Sequence, residues 1–323
     1  MGTDPVVTGL QLDAMSPEQL AGSVRDTDVF ASVNPENEPR IVEALHTNGE
    51  IVAVTGDGVN DAPALSQANV GVAMGRSGTE VARQAADIVL TDDDVTTIAH
   101  AVAEGRRILA NVRRFGRFIF AWHLGVTIIF TVAVVVGSAP PLAGLMILRN
   151  NLVIDVLPSF ALALEPAGED TMTDPPRPAG EPVLGRSTLS RIATQAVLIA
   201  TVGLTTFYVL APAFDLDGTP RQNMTFVAIT AAQLLAVFNP RSETGSGFVH
   251  ATRNPFLCLA LGIALAFEAA ALGIPAQRDT FGLSTMPADA WAAALLIATA
   301  PLVLTQTIRI ARERLSIAAL AKE

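Results

Sequence analysis

The pattern of apolar and polar positions changes near residue 114. Before it, short apolar runs alternate with polar stretches rich in carboxylates; from Phe115 onward long apolar runs dominate. In the first part, strand-like runs at 29–33, 51–55, 70–73 and 88–90 alternate with helical patterns at 36–46, 61–67, 78–85 and 96–110. This βαβ rhythm predicts an α/β domain with a parallel, doubly wound sheet. In the second part, six stretches satisfy the roughly 20 apolar residues a bilayer span takes. They are 116–137, 142–164, 190–212, 224–240, 255–275 and 288–308. The expected organisation is a soluble domain over 1–114 and a membrane domain of six helices over 115–323.

Composition agrees with a mixed protein: 50% of the 323 residues are hydrophobic and 16% charged, against about a quarter charged in soluble proteins. The net charge of −10 argues against nucleic acid as a partner. A single cysteine, Cys258, excludes an internal disulfide and a thiolate metal cluster. Every basic residue but Lys322 is arginine, which points to a GC-rich, bacterial genome. No basic segment and apolar core of a cleavable leader open the chain. The arginines cluster before span one, in two alternate loops and after span six. The positive-inside bias therefore predicts cytoplasmic N- and C-termini in a multi-pass plasma-membrane protein with lipid around it.

Polar groups inside spans are costly and so informative. Span two holds Arg149, Asn150, Asn151 and Asp155; His123, Gln233 and Glu268 stand in spans one, four and five. A lone amide such as Gln233 reads as an interhelical hydrogen bond. The i, i+4 spacing of Asn151 and Asp155 predicts one helix face carrying two oxygen-bearing side chains, which suits a hard cation. Pro158 weakens the helix beyond and can free carbonyls for an ion.

The soluble part carries Thr55-Gly-Asp-Gly-Val-Asn-Asp-Ala-Pro-Ala-Leu65 where a buried strand ends. Such carboxyl ends of parallel strands are where ligands bind. Gly56 and Gly58 permit a tight turn, and Asp57 and Asp61 offer two carboxylates suited to Mg²⁺ beside a phosphoryl group. Single Asp-Gly pairs are ordinary turn formers, but the full string exceeds what a turn needs.

That string resembles the hinge motif of P-type cation-transporting ATPases, in their haloacid-dehalogenase-like phosphorylation domain. Gly71-Val-Ala-Met-Gly75, Ser77-Gly-Thr79, Ala86-Asp-Ile-Val-Leu90 and Glu104-Gly-Arg106 are similar to the same family in order and spacing. Asn151-Leu-Val-Ile-Asp155-Val-Leu-Pro158 resembles the sixth transmembrane helix of calcium-pump-like members, and Asp174-Pro-Pro-Arg177 the loop after it. The resemblance implies ATP hydrolysis coupled to cation transport, with family helices five to ten in the membrane. It implies Mg²⁺ on Asp57, a phosphoryl site organised by Asn60 and Asp61 with Thr55, Gly56 and Gly58 around it, and the transported cation on Asn151 and Asp155.

The chain departs from the family in three ways. The phosphorylated aspartate of an Asp-Lys-Thr-Gly-Thr string is not in the sequence. Neither are the parts expected to bind ATP, so a separate chain carrying an N-terminal half is an expected partner and the chain alone is expected to be inactive. Glu38 stands where the family has a lysine that neutralises the transferring phosphoryl group, with Arg40 the nearest substitute. Finally, calcium-pump ligand positions read His123, Val126 and Gln233. Arg149, beside them, could serve as counter-charge to Asp155 or snorkel toward an interface. The alternative expectation is a non-catalytic membrane remnant or regulator that assembles with an intact pump.

Overall fold

The computed structural model describes residues 6–166, 172–173, 177–178, 180–241 and 253–320, the last nine as backbone. Asp174, Pro175 and Pro176 of the expected loop motif lie outside the described residues. The chain divides into two compact units, Met1–Glu104 with Asp170–Glu181, and Gly105–Glu169 with Pro182–Glu323.

The first unit follows the predicted rhythm. Its strands are β1 (Val6–Thr8), β2 (Val29–Ala31), β3 (Ala53–Gly56), β4 (Val70–Met74) and β5 (Ile88–Leu90). Between them run α1 (Gly9–Asp13), α2 (Pro17–Ser23), α3 (Glu38–Thr47), α4 (Ala62–Gln67) and α5 (Glu80–Ala85). All pairings are parallel, but the strands form two sheets, β1-β2 and β3-β4-β5, where one doubly wound sheet was expected. Each sheet has its own small core. Leu12, Leu20 and Val24 pack under the first, and Leu65, Ala73 and Ala82 between β4 and its helices. Local chemistry starts the helices: Ser16 caps α2 by accepting from the Gln19 amide, and Thr79 caps α5 by accepting from Ala82.

Asp93 closes the far edge of the three-stranded sheet. Its φ of 57° lies in the left-handed region that aspartate tolerates better than most residues. There Oδ1 accepts from the amides of Gly75 and Arg76 at 2.7 and 2.9 Å, and Oδ2 from Ser77 at 2.7 Å. Three amides aimed at one carboxylate make a nest for the charged form.

The second unit is helical. It holds α6 (Thr96–Val136) from Gly105 on, α7 (Gly144–Arg149), α8 (Val156–Ala163), α9 (Arg186–Thr205) and α10 (Ala211–Ala213). Then come α11 (Thr219–Ala236), α12 (Pro255–Gly273), α13 (Pro275–Thr280), α14 (Ala288–Ala298) and α15 (Ala300–Leu320). Two π-helical turns interrupt the set, Asn150–Asp155 between α7 and α8, and Thr206–Leu210 between α9 and α10. Each contains the residue four positions before a proline, Ile154 before Pro158 and Tyr208 before Pro212. A proline ring collides with that carbonyl and offers it no N–H, and widening the turn relieves both faults.

Among the described residues, five helical stretches are long and apolar enough to span a bilayer: Thr96–Val136, Gly144–Ala163, Arg186–Ala213, Pro255–Gly273 and Ala288–Ala311. The expected fourth span falls on α11, which carries Asn223, Thr225, Thr230 and Gln233 and falls short of that apolar standard. Its residues from Asn223 to Thr230 are all buried, so α11 meets helices where the other spans also meet lipid. An enclosed helix needs no apolar outer face, so with α11 counted the described bundle is roughly consistent with the six expected spans.

A buried polar knot fixes one end of this bundle. Glu165 Oε1 accepts from Arg241 Nε and an η nitrogen at 2.9 and 2.6 Å, and Oε2 accepts from Asn254 at 2.7 Å. Its carbonyl accepts from Asn111 of α6 at 2.8 Å. The knot ties the end of α8 to α6 and to the start of α12, and its charges are mutually satisfied as burial requires.

The Asp93 nest carries a test. The three amides hold its carboxyl below the ordinary value of 3.8. Its contribution to stability is therefore present above that value and is lost as the pH falls through the lowered one. Asp93→Ala should speed amide hydrogen exchange at Gly75, Arg76 and Ser77 at pH 7. Relative to the parent, the difference should shrink in acid, and a difference that persists unchanged in acid would contradict the nest.

Candidate functional site

In the first unit the TGDGVNDAPAL loop leaves β3 and enters α4. Thr55 pairs with Val72 of β4, and Gly56 ends the strand. Asp61 is the residue before α4, and its Oδ2 accepts from the amides of Asp57 and Gly58 at 2.8 and 2.9 Å. The loop closes on its own carboxylate. A side chain at position 56 would lie 2.5 Å from Asp61 Cβ, so only glycine lets the two segments approach. The carbonyl of Asp57 accepts from the Thr79 amide at 2.8 Å, which joins the loop to the start of α5.

This division of labour leaves the carboxylate of Asp57 exposed and without a hydrogen bond among the described residues, while that of Asp61 is committed. Asn60 is exposed beside them. A free carboxylate over a glycine turn at a strand end fits Mg²⁺ held mainly by water, phosphate and one or two carboxylates. Glu38 opens α3 near this loop. Burial first, then the neighbouring Asp61 carboxylate, hold its carboxyl above the ordinary value of 4.5. Arg40 does not compensate there: its guanidinium donates to Asn37 Oδ1 at 2.8 Å and to the Met15 carbonyl at 2.9 Å.

In the second unit, polar groups from α6, the π turn and α11 converge. Gln233 uses both ends of its amide. Its Oε1 accepts from Asn150 Nδ2 at 2.8 Å, and its Nε2 donates to Asp155 Oδ1 at 2.5 Å. Thr230 donates to Asn150 Oδ1 at 3.1 Å. Asn150 and Asp155 are five residues apart, the repeat of a π turn, so Asn150 shares the inner side with Asp155. Asn151 is half-buried and makes no hydrogen bond to this group among the described residues. The i, i+4 face expected for Asn151 and Asp155 assumed a regular α-helix, and the turn here is wider.

The second oxygen of Asp155 is buried and has no hydrogen-bond partner. What faces it is His123 Nε2, 3.7 Å away. His123 Nδ1 lies 2.9 Å from the Ile119 carbonyl, an acceptor, so Nδ1 carries a proton. In the neutral ring Nε2 is then an acceptor too. With that ring neutral two acceptors face each other, and either a proton on Nε2 or a cation in the gap would supply the positive charge.

Arg149 takes no part in this group. Its guanidinium pairs with Glu268 of α12 and lies over the rings of Phe226, Phe281 and Phe267, at 4.5, 5.4 and 6.0 Å. It is neither counter-charge to Asp155 nor a snorkelling side chain, because Glu268 and the aromatic faces balance it inside the bundle. Sequence reasoning noted Glu268, Gln233 and His123 singly and left Thr230 out, since a threonine within a span signals nothing by itself.

Comparison with known proteins gives this geometry a context. Residues 139–311, more than half of the chain, match the model of the cation transporting ATPase C-terminus. Residues 39–102 match that of haloacid dehalogenase-like hydrolases. The calcium-transporting ATPase 1 of Bacillus cereus is 38% identical over 323 residues, 95% of this chain and 36% of that protein. The calcium-transporting ATPase of Bacillus subtilis is 39% identical over 78% of this chain and 28% of its own length. The probable cation-transporting ATPase F of Mycobacterium bovis is 36% identical over 94% and 33%. The chain thus spans about a third of the length of the curated relatives it matches. By the match over most of its membrane part, the chain belongs to the cation-transporting ATPase family.

Proposed function

We propose that this chain forms the C-terminal part of an ATP-driven cation pump, with the cation bound at Asp155 and the phosphoryl chemistry organised at Asp57. The observation that carries the reading is Asp155 Oδ2, buried and without a hydrogen-bond partner among the described residues, 3.7 Å from the ring nitrogen Nε2 of the half-exposed His123. An orphaned carboxylate oxygen in a bilayer is costly unless a cation completes it. Asn150, Thr230 and Gln233 add oxygen atoms within the same network, and Asn151 stands one position away. An oxygen-rich set with one charge suits a single divalent ion. Since several relatives are named for calcium, Ca²⁺ is the first ion to try, with Mn²⁺ beside it.

In the soluble unit, Asp57 would hold Mg²⁺, and Asn60 with the amides about Gly56 and Gly58 would orient the phosphoryl group. Thr55 anchors the loop to β4, and Asp61 keeps its shape. ATP and the aspartate that is phosphorylated come from the remainder of the pump, joined to this sequence or separate. The protein lies in the plasma membrane, both termini cytoplasmic, as the arginine distribution supports. The soluble and membrane domains are taken to meet at about residue 114, within α6 and ten residues past the end of the first compact unit at Glu104.

One observation favours the second reading, a non-catalytic membrane protein that assembles with an intact pump. Glu38 presents a carboxylate beside Asp61 where a positive charge would steady a phosphoryl group. The two readings separate in a co-expression assay with a chain supplying the Asp-Lys-Thr-Gly-Thr domain. A pump forms an acid-stable, hydroxylamine-sensitive phosphoenzyme whose level follows Ca²⁺ or Mn²⁺. Asp155→Asn should abolish that dependence, a loss of about a hundredfold or more in apparent affinity. An unchanged dependence would move the ion elsewhere, and no phosphoenzyme would favour the regulator.

Glu38 also makes a prediction for the chain alone. Its raised carboxyl means that ionisation costs the folded state, so the cost is absent below 4.5 and appears as pH rises through the raised value. Glu38→Gln should therefore stabilise the soluble unit at pH 7 and not at pH 4. The side chain is only half-buried, so screening keeps the gain under about 1 kcal/mol. Chemical denaturation at the two pH values measures it, and equal effects at both would contradict a raised Glu38 carboxyl.

A further inference from the structure

The second unit contains a cavity of about 520 Å³, bounded by α6, α9, α11 and α15. That volume is within the range of small-molecule sites, roughly 300–1,000 Å³. Its rim and its floor differ in chemistry. Arg117, Arg191 and Arg309 line it, Arg117 and Arg309 each also donating to a backbone carbonyl, of Pro240 and Asn239, and among the described residues no aspartate or glutamate lines it. Deeper, the walls are Trp122, Leu198 and Ile199.

The polarity of the cavity is directional. Arg117 lies near the start of the apolar part of α6, Arg191 in the second turn of α9, and Arg309 beyond the apolar part of α15. All three therefore stand at one end of the bundle, the arginine-rich end. Trp122 is five residues inward from Arg117 and Ile199 eight inward from Arg191. At 1.5 Å per residue these are roughly 8 and 12 Å deeper. A cation ring above an apolar shaft of that depth matches a phospholipid, whose phosphate and acyl chain are similarly separated.

A second feature points to an acceptor. Gln306 Nε2 donates to Asn239 Oδ1 at 3.2 Å, and Asn239 Nδ2 donates to Gln195 Oε1 at 3.0 Å. Thr305 adds a donor to the same Gln195 oxygen at 3.4 Å. The relay of amides ends on Gln195 Nε2, which is buried and has no hydrogen-bond partner. Gln195 lines the cavity. Native proteins rarely leave such a donor unused. In this arrangement the unpartnered end of Gln195 is its nitrogen, which suits a ligand that accepts.

We propose that this cavity is a binding site for one anionic phospholipid, its phosphate among Arg117, Arg191 and Arg309 and the Gln195 amide, its acyl chain against Trp122 and Ile199. Guanidinium groups are the side chains best matched to phosphate oxygens. The site is separate in chemistry from the cation group, though Gln233, which also lines the cavity, is shared by both. Lipid occupancy would thereby bear on the same α11 side chain that holds Asp155.

The test uses the full chain in nanodiscs of phosphatidylcholine, with Trp291→Phe leaving Trp122 as the sole tryptophan. Brominated phosphatidylglycerol should quench Trp122 at a far lower mole fraction than brominated phosphatidylcholine, with saturation at one lipid per chain. Gln195→Leu should weaken that preference about tenfold, as should Arg191→Gln at an exposed rim position should the first variant fail to fold. Equal quenching by the two lipids overturns the site. Displacement of the brominated lipid by millimolar inorganic phosphate overturns the lipid assignment, since a soluble anion would then be the ligand.

Discussion

Gln233 has an amide with two ends, and both are spent across a helix boundary. One accepts from Asn150 and the other donates to Asp155, at 2.8 and 2.5 Å. Within a bilayer no water replaces such bonds, so polar side chains must find one another. That constraint explains why α11, the least apolar of the six spans, is enclosed by its neighbours. Its Thr225, Thr230 and Gln233 are buried against other helices. It also orders the site: with one oxygen held by Gln233, Asp155 presents the other to the gap before His123.

The π turn makes the arrangement possible. Pro158 denies Ile154 its usual donor, and the wider turn that results carries Asn150 round to the side of Asp155. The same turn begins after Arg149, whose charge is drawn toward Glu268 and three phenylalanine rings. One span thus sends its arginine to one partner and its aspartate to another. Arg149 and Asp155 have separate partners and do not pair with each other.

Much of this was legible in the sequence. The alternation of strand and helix in the first unit, and the turn from Thr55 to Asp61, are local features that composition and spacing record. The division into two sheets was not, because which strands pair depends on packing between distant segments. Six apolar stretches named the spans, yet the central one declared itself through its polar residues more than its apolar ones. Asn151 was the natural partner for Asp155 under α-helical spacing, and no periodicity argument anticipates a π turn. Arg149 and Glu268 are 119 positions apart, so each could be flagged as costly while the pairing stayed hidden. In the loop two carboxylates were visible, but that Asp61 closes the turn while Asp57 is left open depends on its three-dimensional geometry.

The central claim is that Asp155 is a cation ligand. Cation-induced infrared difference spectroscopy on the full chain in lipid bilayers reads carboxylates directly. The account predicts a carboxylate stretch that shifts on adding Ca²⁺ or Mn²⁺ and that is missing from the Asp155→Asn spectrum. A shift that survives this substitution, or no carboxylate change with either ion, would contradict it.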